Sequence, residues 1–216
     1  MLVDSTNRVY FGAWHNGSPY WTWKEGTGLS TIIPSGLINN PGLTSSNMAN
    51  DRVFFGSSTN FYTYQLSTGL STIITAQSNP GFDHNVPAAD DWTTGQFATP
   101  SGRVFFGEAN TSGSYWTWHS STGLSTIVSV ASRPGQYVRS AADDNDRAYF
   151  GDEAGKFWTW HTTTGLSTLV ESTTGNPGDD STKAITGRVF FGEWSTTGTQ
   201  VMRTWKAPTN CSSMPY

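Results

Sequence analysis

Short apolar runs separated by clusters of turn-forming polar residues occupy the whole chain, and one run returns five times. It reads Arg8-Val9-Tyr10-Phe11-Gly12, Arg52-Val53-Phe54-Phe55-Gly56 and Arg103-Val104-Phe105-Phe106-Gly107, then Arg147-Ala148-Tyr149-Phe150-Gly151 and Arg188-Val189-Phe190-Phe191-Gly192. The arginines stand 44, 51, 44 and 41 residues apart. A repeat of roughly 40–50 residues built from short strands is the mark of radially arranged sheets. The pattern predicts an all-β chain, a five-bladed β-propeller of four-stranded antiparallel blades.

One unit is clearest between residues 137 and 172. An apolar stretch from Val138 to Ala142 ends in the turn cluster Asp143-Asp144-Asn145-Asp146, where side-chain oxygens favour chain reversal. Arg147 to Gly151 is the second strand, and Lys156 to His161, with its Trp158-Thr159-Trp160 core, the third. Thr164-Gly165 predicts a tight turn with glycine at positive φ, and Leu166 to Val170 the fourth strand. The other units align on it, giving blades at about 1–35, 43–76, 95–130, 137–172 and 180–216 within one domain of residues 1–216. In the fifth, Thr209-Asn210 takes the place of Thr-Gly, and Cys211 replaces a strand leucine as a small core residue.

These units resemble quinoprotein-like and WD-like propeller blades. The residues that carry the resemblance run from 141 to 165: small residues, the Asp-Asn-Asp turn, Arg147-Ala148-Tyr149-Phe150-Gly151, a loop, an aromatic strand and Thr164-Gly165. What it implies is architecture. Where quinoprotein blades usually hold an aspartate in the third strand, this chain has Trp23, Trp118 and Trp160, so no quinone and no other cofactor is implied.

Seven of the ten tryptophans lie on third strands, namely Trp21, Trp23, Trp116, Trp118, Trp158, Trp160 and Trp205. Their period of two makes them packing between blades. The repeated arginine is expected to pair with a carboxylate or turn carbonyl between blades; the alternative is an anion-binding ring. Each Pro-Gly pair between blades, at 41–42, 80–81, 134–135 and 177–178, predicts a turn.

Charge narrows the partners. Only 13% of residues are charged and the net charge is −4, without the basic cluster that nucleic acid demands. No stretch of about 18 apolar residues predicts membrane insertion. The chain enters the repeat at once, so no targeting segment is read at its start. An extracellular or virion-surface setting suits the low charge and the abundance of Gly, Ser and Thr.

Candidate chemistry falls on one rim, where the loops vary. The longest loop, 77–95, holds Asp83, His84, Asp90, Asp91 and Trp92. Glu108, Asp152 and Glu193 follow the glycine of the second strand directly, and Trp14 and Trp194 stand two residues after it. Indole beside carboxylates and hydroxyls is the chemistry of sugar binding. The expected function is a non-enzymatic binding propeller for carbohydrate recognition or adhesion, in the manner of a lectin, with a glycan or protein surface as partner. One alternative is a structural or interaction component of a larger assembly, such as a virion or phage tail surface. A second is a glycoside hydrolase with funnel carboxylates drawn from Asp90, Asp91, Asp179 and Asp180. No Ser-His-Asp set and no metal-spaced histidines appear; His15, His84, His119 and His161 are scattered. The reading leans against an enzyme, with no metal.

Overall fold

The structure, a computed structural model, describes residues 1–12, 17–37, 41, 46–76, 80, 96–107, 113–135, 140–185, 187–195 and 200–208. Cys211 and the expected last strand lie outside these residues, as do Trp14, Asp83, His84, Asp90, Asp91, Trp92 and Glu108. The described residues form strands and turns only.

Among the described residues, nineteen strands make five antiparallel sheets in chain order. The first sheet is β1 (Leu2–Val3), β2 (Val9–Gly12), β3 (Tyr20–Lys24) and β4 (Gly28–Ile33); the second is β5 (Ser46–Ala49), β6 (Arg52–Gly56), β7 (Asn60–Gln65) and β8 (Gly69–Thr75). The third is β9 (Gln96–Ala98), β10 (Val104–Gly107), β11 (Ser114–His119) and β12 (Gly123–Ser129); the fourth is β13 (Ala141–Ala142), β14 (Ala148–Gly151), β15 (Lys156–His161) and β16 (Gly165–Glu171). The fifth has β17 (Gly175–Ile185), β18 (Arg188–Ser195) and β19 (Val201–Lys206). Each is an up-and-down meander, so the architecture is all-β and propeller-like.

Third and fourth strands are joined by three-residue loops closed by Gly28, Gly69, Gly123 and Gly165, at φ of 75°, 77°, 72° and 69°. Glycine reaches that left-handed region without steric cost. The fourth strand carries one bulge at the same place in four sheets, where Ile32, Ile73, Ile127 and Leu169 are the extra residue opposite the Tyr20–Trp21, Phe61–Tyr62, Tyr115–Trp116 and Phe157–Trp158 steps of the third strand. A bulge increases local twist, which suits sheets that must splay outward from neighbours.

The sheets pack face to face. One face of the second strand looks forward, to the next sheet, through Tyr10, Phe54, Phe105 and Tyr149; the other looks back through Val53/Phe55, Val104/Phe106, Ala148/Phe150 and Val189/Phe191. Four separate clusters result, joining first to second, second to third, third to fourth and fourth to fifth sheets. Each joint has the same aromatic stack at 4.1 Å between centroids: Tyr20–Phe55, Phe61–Phe106, Tyr115–Phe150 and Phe157–Phe191. No core cluster joins the fifth sheet to the first among the described residues.

Three expectations need correction. The repeated arginine lies over an indole of the next sheet more regularly than beside a carboxylate. Arg52 sits 5.4 Å from the Trp118 ring, Arg103 5.6 Å from Trp160 and Arg147 5.6 Å from Trp205, the geometry of cation–π attraction. Arg103 adds a contact to Asp146 of the next sheet at 3.7 Å. Trp23 is not enclosed packing; it is 43% exposed, because among the described residues no core cluster covers the back of the first sheet. Pro177-Gly178 is no turn between sheets but part of β17, where the register against β18 shifts between Pro177 and Thr182. β17 is an edge strand, and an edge bulge is where a sheet tolerates proline.

The Asp-rich turns before second strands are structural. Asp143 Oδ1 accepts the amides of Asn145 (2.9 Å) and Arg147 (3.1 Å), while Oδ2 accepts the Tyr149 hydroxyl and the Gly187 amide of the fifth sheet, both at 3.1 Å. Asp4 repeats the device with the amides of Thr6 and Arg8 at 2.9 Å and the Tyr10 hydroxyl at 3.0 Å.

Candidate functional site

The described part of the variable rim centres on the turn between β14 and β15. Asp152 builds that turn: Oδ1 accepts the amides of Ala154 (3.0 Å) and Lys156 (2.8 Å), and its own amide donates to the Lys156 carbonyl at 3.0 Å. Gly155 closes it at φ +84°, and a Cβ there would stand 2.2 Å from the Ser172 carbonyl oxygen. This approach brings the segment after β16 against the turn, with the Ser172 amide donating to Gly155 O at 2.8 Å. Gly175 lies equally close to β18, since its Cβ would meet the Trp194 carbonyl oxygen at 2.3 Å.

A cleft of about 510 Å³ opens between these segments. Its charged lining groups are Glu153 and Glu171; Ser172, Thr173, Thr174 and Asn176 add hydroxyls and an amide, and Trp194 borders it. Trp194 is 49% exposed. Arg133 reaches Glu153 at 3.3 Å and Lys156 reaches Glu171 at 3.5 Å, both from outside the lining. Such solvent-exposed pairs are weak, about 0–1 kcal/mol each, so a ligand can compete for the carboxylates.

Of the expected site residues, the described ones part company. Trp194 is at the cleft. Asp152 and Glu193 are buried and already engaged. Asp152 accepts the Ser132 hydroxyl, and Glu193 that of Ser172. Arg203 donates twice to Glu193 Oε2, at 2.9 and 2.7 Å. These acids latch the rim segment of one sheet to the next, so they shape the cleft without facing it. The remaining expected site residues, Trp14, Glu108, Asp83, His84, Asp90, Asp91 and Trp92, lie outside the described residues. The sequence reading missed Glu153 and Glu171. A signal existed for the latch: the serine stands 20 residues before Asp152 and 21 before Glu193.

On the opposite rim, His119 and His161 brace hairpins. Their Nε2 atoms lie 3.2 Å from Ser101 O and 2.9 Å from Asn145 O, and their Nδ1 atoms 2.8 Å from the hydroxyls of Ser121 and Thr163. Both rings are spoken for structurally.

The latch has a pH signature. Burial works to raise Glu193, but the Ser172 hydroxyl and the Arg203 guanidinium outweigh it and hold the carboxyl below its ordinary value of 4.5. Asp4 likewise falls below 3.8, burial being overcome by the bonds from Arg8, Thr6 and Tyr10. A depressed carboxyl contributes stability that is present above its unfolded value and lost as pH falls through its folded one. Chemical denaturation midpoints should therefore hold on acidification to about pH 4.5 and drop below it. The double variant Asp4→Asn/Glu193→Gln should be less stable at neutral pH and show a shallower acid decline. An unchanged decline in that variant would assign acid loss to other carboxyls.

No family model matches the sequence, and no curated protein does. Solved structures do. One is named as a gluconolactonase, at 10% identity and TM-score 0.47, covering 95% of this chain and 73% of its own. Another is an oligogalacturonate lyase in complex with manganese, at 13% identity and TM-score 0.44, covering 90% of this chain and 61% of its own. A third is YCF48 bound to D1 peptide, at 11% identity and TM-score 0.43, covering 94% and 68%. They are propeller-type proteins, and the likeness is one of fold. Two bear enzyme names, and the expectation of a non-enzymatic ring for sugar recognition or adhesion is withdrawn. The locked state of Asp152 and Glu193 removes two of the acceptors on which the sugar reading relied.

Proposed function

We propose that the cleft between the fourth and fifth sheets is where this propeller-like protein takes a small cationic ligand, an amine or quaternary ammonium group. The observation that carries this reading is the lining: among the described residues it holds two carboxylates, each met only by an exposed cation from outside it, and a half-exposed indole at the border. An ammonium group gains from both, by Coulomb attraction to Glu153 and Glu171 and by resting on the negative face of the Trp194 ring. The hydroxyls and the Asn176 amide then orient whatever polar groups the cation bears.

The test is calorimetric titration of the 216-residue chain with tetramethylammonium chloride, and with methyl glucoside as a neutral comparison. Tetramethylammonium should bind and the glucoside should not. Trp194→Ala should weaken binding about fivefold, the upper part of the range for an exposed cation–π contact. Glu153→Gln/Glu171→Gln should weaken it and flatten its salt dependence. Binding of the glucoside alone, or of neither probe, overturns the reading. Incubation of an amine that binds, followed by proton NMR, would show whether it is also transformed.

A further inference from the structure

Every joint between neighbouring sheets is made from the same two halves, and among the described residues the fifth and first sheets each present one such half with no core cluster on it. Forward-facing Tyr10, Phe54, Phe105 and Tyr149 are at most 1% exposed, whereas Phe190, at the same position in the fifth sheet, is 39% exposed. Beside it Ile185 and Met202 are also open to solvent. At the other end, Trp23 on the back of the first sheet is 43% exposed, while its counterparts Trp118, Trp160 and Trp205 pack into the joints behind them. The arginine shows the same break in pattern. In the second, third and fourth sheets it lies over the indole of the next sheet, but Arg188 lies 5.9 Å from Phe190 of its own strand.

We propose that copies of this chain associate head to tail, the fifth sheet of one packing on the first sheet of another. The partner is a second copy because this chain itself presents, on its first sheet, the back face that fits. The contact repeats an interface already present four times within the molecule. Arg188 then lies over Trp23 of the second copy, Phe190 meets that indole edge-on as Tyr149 meets Trp205 (5.9 Å, 65°), and Met202 covers Phe11. Such a contact is heterologous: each added copy leaves one free face at either end of the assembly unless a ring closes.

The experiment is analytical ultracentrifugation of the chain over roughly a hundredfold range of concentration, since mass action makes such association concentration-dependent. The average mass should rise with concentration. Trp23→Glu and Phe190→Glu each place a charge on a residue that is open to solvent in the single chain, so both variants should fold. Each alone should remain a single copy at every concentration, because every joint in its solution lacks one half. Mixed, they should form pairs and nothing larger, since only the intact fifth sheet of Trp23→Glu and the intact first sheet of Phe190→Glu can meet. A wild-type chain that stays single throughout overturns the proposal, whether its end faces remain exposed or close on each other within one chain. A mixture that does not pair overturns it as well.

Discussion

Replacing Phe106 with alanine is expected to lower folding stability by roughly 3–5 kcal/mol, the usual cost of emptying a buried phenylalanine site. Phe106 is fully buried in the joint between second and third sheets. It stacks on Phe61 at 4.1 Å and tilts against Trp116 at 5.5 Å. Truncation therefore removes the contact surface of two further rings on two sheets. Collapse around the hole is limited, because each neighbour is held in register by a strand ladder. The melting temperature should fall by about 10 °C for a chain of this size. A loss below about 1 kcal/mol would mean that the joints are not close-packed. Denaturant titration checks this, with the slope compared to the parent to detect a change in cooperativity.

The second large effect is polar. Asp143→Ala should cost roughly 3–5 kcal/mol, because four donors lose their acceptor and each buried orphan costs about 1–3 kcal/mol before partial hydration. They are the amides of Asn145, Arg147 and Gly187 and the hydroxyl of Tyr149. The Gly187 bond crosses to the fifth sheet, so its amide should exchange with solvent faster in the variant than in the parent. Asp143→Asn keeps one oxygen acceptor and should lose about half as much. Equal losses for Asn and Ala would show that the negative charge, not the acceptor geometry, holds the turn.

What could be read from the chain follows the range of each interaction. Strand positions and the Thr-Gly loops were legible because alternation and positive φ are local properties, spelled out within ten residues. So was the burial of Trp116 and Trp158. The partner of the repeated arginine was not, since the indole under Arg52 belongs to Trp118, on the third strand of the next sheet. Trp23 and Trp118 occupy the same motif, but among the described residues a core cluster packs on Trp118 and none on Trp23, which separates a packed indole from a half-exposed one. Pro177-Gly178 looked like its three counterparts, but an edge strand offered it a bulge. At the cleft, Trp194 stood out because it broke the strand pattern. Glu153 and Glu171 did not, because exposed acids in a turn and at a strand end carry no periodic mark.

The glycine-closed loops between third and fourth strands have a practical corollary. A Cβ added at Gly28, Gly69, Gly123 or Gly165 would touch nothing within 4 Å. Chain departures there meet only solvent, and exposed loop tips of this kind accept inserted segments best. Four such sites lie on one edge of the molecule, borne by successive sheets of near-identical geometry. A peptide grafted into each would be displayed in a spaced row, on the side away from the cleft, with the aromatic joints undisturbed.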